Sequence, residues 1–318
     1  MASQGSTGSG DVCIHVIGMH RSGTSATAGL LGQLGLGMPV DDDLVPATAD
    51  NERGHWESQS IVRLNNQLFR HFGGLLFSPP DLADGWQDDP SLDDLRSEAS
   101  RRFRASFGPR PIAWKDPRAC ITLPFWQTVI DPPVAAVFVF RDPVEVARSL
   151  RARSGLPVVH GLATWERYVR AAARNLQGIP TLAADFDTVL RDPVAWCDSL
   201  VRFLGDQQVD VEPERRAAAV SFLNGDLRHH HGAAEADPGP AAGARLVFDE
   251  LRRRQGPHAA WQRPDLGPEP EWVDDVLTLA RELETVRIAH ASLRRSRGVR
   301  VVTGFWKMRS ALTRRPSP

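Results

Sequence analysis

Short apolar runs alternate with longer amphipathic segments from residue 12 to residue 205. The run 134–140 is entirely apolar, and the run 12–18 is nearly so and ends at a glycine. Runs of this length without a polar face are typical of strands buried in a parallel sheet. Residues 58–72 carry apolar side chains every three or four positions, which predicts a helix. The alternation predicts an α/β fold of three layers, with a central parallel sheet and helices on both faces.

The same reasoning predicts further elements along this part of the chain. Gly205 follows the last of them and is predicted to end its helix. Residues 73–92 are rich in Gly, Pro, Asp and Trp and show no clear period, as in many lids and binding segments. The additional predicted strands are 111–115 and 179–184, and the additional predicted helices are 24–35, 95–107, 143–152, 161–176 and 193–204.

A glycine-rich loop follows the first predicted strand. Gly18 and Gly23 are five residues apart and precede a predicted helix, as in a phosphate-binding loop of a P-loop-type fold. Thr24 occupies the position of the usual lysine, and the cation lies inside the loop at Arg21. Backbone N–H groups at a helix N-terminus bind phosphate or sulfate oxygens. A loop with a single cation suits a ligand group that carries less charge than a triphosphate. The alternative to a ligand-binding loop is an unrelated glycine-rich turn. Hydroxyl donors are available from Ser22, Thr24 and Ser25.

A second set of polar residues follows the strand 134–140. Arg141 comes directly after this strand, and Ser149 comes eight residues later in the predicted helix. The carboxyl edge of an open α/β sheet is where ligands bind, so Arg141 and Ser149 are predicted to hold a second phosphate. The alternative is a structural ion pair between Arg141 and Asp142 or Glu145.

These two motifs resemble those of sulfotransferases that use 3′-phosphoadenosine 5′-phosphosulfate (PAPS), in particular the bacterial type. The segment HRSGTS, from His20 to Ser25, is similar to the family's 5′-phosphosulfate loop. Arg141, Pro143 and Ser149 match its 3′-phosphate motif. The segment that begins at Phe186 is a partial match, because the family usually has tyrosine there. The resemblance spans roughly residues 12–230 and implies PAPS as co-substrate, with no metal. It implies these donor-binding residues: His20, Arg21, Ser22, Gly23, Thr24, Ser25, Arg141 and Ser149.

The catalytic residues that the resemblance implies are Glu57, Lys115 and Arg21. Glu57, in the segment NERGHWES, matches the glutamate that deprotonates the acceptor hydroxyl. Lys115, in WKDPRAC, would neutralise charge on the sulfuryl group, and Arg118 would touch the acceptor. The structural alternatives are a helix N-terminal role for Glu57 and a surface ion pair between Lys115 and the residue that follows it. His55 and His20 are the alternative bases.

The C-terminal third of the chain carries weaker signals. The resemblance assigns Arg228 to closure over the nucleotide, and the adjacent His229, His230 and His231 are poorly spaced for one metal ion. A heptad-like stripe then precedes a basic tail with Phe305 and Trp306, so this segment is predicted to pack on the domain, pair two subunits or contact an anionic membrane. The stripe consists of Val276, Leu279, Leu283, Val286, His290 and Leu293.

Domain organisation follows from these signals. Residues 1–10 are predicted to be disordered, residues 11–268 to form the sulfotransferase domain, and residues 269–318 to form a C-terminal helix and basic tail. The formal net charge of −1 provides no overall field to attract nucleic acid. Three cysteines, each with apolar neighbours, predict buried free thiols, and no apolar run has the length of a membrane span. A cytoplasmic protein is therefore expected, with the membrane contact, if made, at the inner face.

The sequence thus predicts a sulfotransferase that acts on a hydroxyl of a carbohydrate, glycolipid or specialised metabolite. Two other functions stay open. One is a metal-dependent nucleotide or metabolite kinase, which the missing loop lysine and the lack of an acidic magnesium motif disfavour. The other is a non-catalytic nucleotide-binding or scaffolding protein that contacts partners through its C-terminal segment.

Overall fold

The computed structural model describes residues 12–48, 51, 54–108, 111–130, 134–223 and 240–295. These residues form a sheet of five strands in the order β2-β1-β3-β4-β5. The first four strands are parallel, and β5 pairs with β4 in the antiparallel direction. The predicted α/β fold is therefore confirmed, with an antiparallel edge strand added to the parallel sheet. The strands are β1 (Cys13–Ile17), β2 (Ile112–Lys115), β3 (Val134–Phe140), β4 (Thr181–Asp185) and β5 (Gly256–His258).

Helices cover both faces of the sheet, as the alternation predicts. Alternate side chains of β3 point to opposite faces, so that Phe138 joins one core and Val137 joins the other. The helices are α1 (Thr24–Gln33), α2 (Gln59–His71), α3 (Asp93–Ser106), α4 (Ala119–Gln127), α5 (Pro143–Ser154), α6 (Val158–Asn175), α7 (Phe186–Arg191), α8 (Pro193–Asp206), α9 (Pro213–Leu223), α10 (Pro240–Arg253) and α11 (Glu271–Arg295).

Several elements were absent from the sequence prediction or differ from it. Gly205 does not end its helix, because α8 continues to Asp206 and Gln208 makes the left-handed turn with a φ of 62°. Helices α4, α7, α9 and α10 and strand β5 were not predicted. Residues 240–243, which lie in a stretch rich in Gly, Ala and Pro, form the first turn of α10.

Helix α6 holds the irregular segment 73–92 against the sheet layer. The Tyr168 hydroxyl donates to the carbonyl of Leu76 at 2.8 Å, and the Thr164 hydroxyl donates to the carbonyl of Phe77 at 2.7 Å. The segment therefore forms an ordered wall beside the carboxyl edge of the sheet.

Two further predictions concern cysteines and membrane spans. Cys13, Cys120 and Cys197 are buried free thiols, as expected from their apolar neighbours. Within the part of the chain that the structure describes, no helix is both long enough and apolar enough to cross a bilayer.

Candidate active site

The glycine-rich loop connects β1 to α1 at the carboxyl edge of the sheet. A Cβ atom on Gly18 would lie 2.2 Å from the carbonyl oxygen of Val139, in the neighbouring strand β3. Gly23 has a φ of 86°, and a Cβ there would lie 2.0 Å from Cδ2 of Phe186. Both distances are far below van der Waals contact, so each position requires glycine. Phe186, the first residue of α7 directly after β4, is thus the side chain that packs against the loop.

The polar groups of this loop fit an anionic ligand. Gly23 is the N-cap of α1 and provides no side-chain cap, and the first turn of α1 has no acidic residue. The first N–H groups of a helix lack intrahelical partners and carry partial positive charge. The Ser22 hydroxyl is buried and has no hydrogen-bond partner among the described residues. This set of donors suits a phosphate or sulfate group.

The two predicted nucleotide motifs meet through Arg21. Arg21 has a φ of 69°, an uncommon conformation for a residue with a side chain. Its Nε donates to the Ser149 hydroxyl of α5 at 2.9 Å, and its carbonyl oxygen is 3.5 Å from Nη1 of Arg141. The structure therefore brings together three residues that lie as far as 128 positions apart in the chain.

Arg141 also forms one of the two structural ion pairs that were the alternative to phosphate binding. Its guanidinium lies 2.7 Å from Glu145 Oε2, and its Cζ is 5.9 Å from the centre of the Phe186 ring. Asp142, the other proposed partner, instead accepts N–H bonds from the first turn of α5. A phosphate bound at Arg141 would therefore compete with Glu145.

Glu57 and Lys115 form a buried ion pair beside the glycine-rich loop. The exposed fractions of these residues are 8% and 3%. Lys115 Nζ also donates to the Ser25 hydroxyl and to the carbonyl of His55, each at 3.2 Å. The alternative of a surface ion pair with Asp116 is wrong, because Lys115 is buried and donates to Glu57. Ser58 is the N-cap of α2, so Glu57 lies just before the helix. The predicted base and the predicted cation thus meet next to the first turn of α1.

Comparisons with known proteins add two structural neighbours. No family model and no curated protein matches this chain. The chain is similar to the sulfotransferase domain of the olefin synthase of Synechococcus PCC 7002, at 16% identity and a TM-score of 0.39, over 77% of this chain and 94% of that one. It is also similar to the sulfotransferase domain of the curacin biosynthetic pathway, at 16% identity and a TM-score of 0.41, over 84% of this chain and 96% of that one.

Arg118 extends the polar cluster away from the loop. Its Nη1 is 3.8 Å from Glu57 Oε2 and 2.9 Å from Asp116 Oδ1, and its Nε donates to Asn66 at 2.8 Å. Asp116 also accepts a bond from Asn65. Glu57 therefore lies between two cations whose positions are set by α2 and by the turn after β2.

The two histidines that were alternative bases have different surroundings. Burial, reinforced by nearby cations such as Arg118 and Lys115, holds the pKa of His20 well below its usual value of 6.5, so that the ring is neutral. Its ring packs edge-on against Phe77 and Tyr168. The ring nitrogens of His55 are 2.9 Å from Thr48 Oγ1 and 3.2 Å from Asn51 Nδ2. His55 thus orders the loop that precedes Glu57.

Three supporting residues were not found by sequence reasoning. Asn51 donates to the Ser25 hydroxyl at 3.3 Å and so links the Glu57 loop to α1. Trp56 has a φ of 57°, and its indole fits the space left by Gly29 in α1. Asn66 lies about two turns into α2 and has polar neighbours on both sides in the chain, so no contrast in the sequence marks it.

The remaining predictions concern the segment 228–231 and metal binding. Arg228 and the triplet His229, His230 and His231 lie outside the described residues. Among the residues that the structure does describe, no group of three or more His, Cys, Asp or Glu side chains has the arrangement of a metal site.

Proposed function

We propose that this protein is a PAPS-dependent sulfotransferase that transfers a sulfuryl group to a hydroxyl of its acceptor. The observation that carries the proposal is the buried Glu57–Lys115 ion pair, in which the same ammonium contacts Ser25 at the start of α1. A carboxylate able to accept a proton and a cation able to stabilise a transferring anion are thereby held beside an anion-binding loop.

The donor would span two sets of residues. The loop from His20 to Ser25 would hold the 5′-phosphosulfate through backbone N–H groups and hydroxyls. Arg141 and Ser149 would hold the 3′-phosphate, and Arg21, which already bonds Ser149, would lie between the two groups. Support comes from the convergence of these residues at one edge of the sheet. Arg228 remains a candidate for closure over the nucleotide.

The chemistry assigns one task to each member of the ion pair. Glu57 accepts the proton of the acceptor hydroxyl as that oxygen forms a bond to sulfur. The bond between sulfur and the 5′-phosphate oxygen breaks, and adenosine 3′,5′-bisphosphate leaves. Once Glu57 is protonated, Lys115 is no longer neutralised by it, so the ammonium becomes available to the sulfuryl and leaving oxygens at that stage. Arg21 is the second predicted cation for this charge.

The acceptor class rests on the polar surroundings of Glu57. Two cations, Lys115 and Arg118, lie beside the carboxylate, and polar surroundings of this kind suit a small-molecule or glycan acceptor with several hydroxyls. We therefore propose a carbohydrate, a glycolipid or a specialised metabolite. The three buried free thiols are consistent with a reducing compartment, so we place the reaction in the cytoplasm, with membrane contact limited to its inner face.

Calorimetric titration with adenosine 3′,5′-bisphosphate, with and without EDTA, tests the donor site. We expect the same affinity in both conditions, because the proposed contacts come from the protein alone. Affinity that requires Mg²⁺ would instead support the kinase, and absence of binding would support the scaffold. Incubation of cell-extract metabolites with PAPS and the protein, followed by mass spectrometry, tests the transfer: products must gain the mass of one SO₃ group, and this gain must depend on the protein.

A further inference from the structure

Helix α11 leaves the domain part-way along its length. Val273 and Leu277 are buried against Ala163 of α6, so the first two turns are attached to the domain. From Thr285 to His290 every side chain is exposed. A helical segment of this length gains little stability in water from its own backbone bonds. The distal part of α11, after the two turns that contact the domain, would therefore be stabilised by packing against another surface.

This distal part carries a continuous apolar face, here termed the exposed stripe. It consists of Leu279, Leu283 and Val286, whose exposed fractions are 57%, 56% and 64%. Their spacing of four and three residues places them at the d, a and d positions of a heptad. At about 100° per residue, the stripe lies roughly 130° around the helix from Val273 and Leu277. The exposed stripe is therefore separate from the face that contacts the domain.

The charges beside the exposed stripe favour pairing with a second copy of α11 in the parallel direction. Glu282 is at a g position and Arg287 at the e position of the next heptad, five residues later. In a parallel pair of these helices, Glu282 of each copy meets Arg287 of the other, whereas an antiparallel pair places g beside g and e beside e. The Arg287 side chain is 80% exposed, and among the described residues its ion pair is with Glu284 of the same helix, at 3.3 Å. Arg287 can therefore reach a second helix.

We propose that a second copy of this chain covers the exposed stripe, through a parallel two-stranded coiled coil of α11. The same apolar face on both copies makes the contact self-complementary, and each dimer gains two Glu282–Arg287 pairs. This inference does not depend on the proposed sulfotransferase activity.

Sedimentation velocity of the full-length protein at increasing concentration tests the dimer. We expect Leu283→Asp to raise the dissociation constant by about tenfold or more, because each dimer loses two buried leucine side chains. Ile288→Asp is the matched control: Ile288 is 59% exposed but lies on the opposite side of α11, so this variant should dimerise like the wild type. Circular dichroism must show that both variants keep the wild-type fold.

Charge exchange tests the parallel orientation. Glu282→Arg and Arg287→Glu should each weaken self-association, because like charges then face each other. The double variant should recover it, and a mixture of the two single variants should form mixed dimers in preference to either homodimer. Monomers at all concentrations, or a dimer that Leu283→Asp leaves intact, would overturn the proposal. So would a monomer that binds phosphatidylserine vesicles through the exposed stripe.

Discussion

The Lys115 ammonium and the Glu57 carboxylate form an ion pair that is almost completely shielded from water. The two residues are 58 positions apart, at the end of β2 and in the loop before α2. Because an ion removed from water is costly unless it is paired, each of these side chains depends on the other for its stability in the fold. The pair is therefore both a structural contact and the proposed catalytic centre, which determines how its variants must be tested.

Replacement of the proposed base is the first test. In Glu57→Gln the shape is kept but the side chain cannot accept a proton, so we expect single-turnover sulfation to fall by roughly 10²–10⁴. Affinity for adenosine 3′,5′-bisphosphate should be nearly unchanged. Glu98→Gln, on the exposed side of α3, serves as the control. Near-normal sulfation would remove Glu57 from the mechanism and leave His55, His20 and Lys115 as candidates.

Stability separates the structural role of this pair from its chemical role. Either Glu57→Gln or Lys115→Met removes one member of the buried pair. In Lys115→Met the carboxylate keeps only the longer contact with Arg118, at 3.8 Å, and we expect the free energy of unfolding to fall by at most about 3–5 kcal/mol. The double variant removes both charges and should be more stable than Lys115→Met, while sulfation stays low. Urea unfolding of the three variants measures this. Equal stability of the double and Lys115→Met variants would contradict the pairing.

The nucleotide end of the site depends on Arg141. Arg141→Ala should weaken binding of adenosine 3′,5′-bisphosphate by roughly 1.5–3 kcal/mol, because a charge-assisted bond to the 3′-phosphate is lost. The matched control is Arg151→Ala. Arg151 is an exposed arginine of α5, the helix that follows Arg141, and this variant should bind the nucleotide like the wild type. Glu145→Gln should bind the nucleotide more tightly, since it removes the carboxylate that now pairs with Arg141. Wild-type affinity in Arg141→Ala would refute the assignment of this residue.

Acid sensitivity follows from a buried histidine of β1. Burial, opposed only in part by the charge of Asp116, lowers the pKa of His15 to about 3, and its ring stacks on Trp114 at 3.8 Å. Below its ordinary value of 6.5 the unfolded chain binds a proton that the folded chain does not, so stability falls as pH decreases from 6.5 towards 3, by about 1.4 kcal/mol per pH unit. His20 and His160, whose pKa values are also lowered, act in the same direction.

Urea unfolding at about pH 7 and about pH 5 measures this effect. His15→Phe keeps an aromatic ring on Trp114 and should lose roughly 2 kcal/mol less stability than the wild type over that interval. The exposed His71 provides the control, because His71→Gln should retain the wild-type dependence on pH. Identical pH dependence in His15→Phe and the wild type would show that this ring does not carry the effect.

Much of the central fold was predictable because its signals are local. The apolar run 134–140 forms β3, and the predicted helix 58–72 is observed as α2, one residue shorter at each end. Strand β5 was missed for a physical reason. Strand β5 has only three residues and the sequence Gly-Pro-His, so no apolar pattern marks it, and its place comes from antiparallel pairing with β4.

The sequence by itself determined the α/β architecture and the kinds of residue available for chemistry at the sheet edge. Periodicity and glycine spacing are properties of neighbouring residues, and they are sufficient to place Gly18 and Arg141 at the ends of strands and Gly23 at the start of a helix. Only the tertiary structure decided which charges are paired: Lys115 with Glu57 instead of Asp116, and Arg141 with Glu145. A buried charge takes the partner that packing brings within hydrogen-bond distance, and packing depends on residues far apart in the chain.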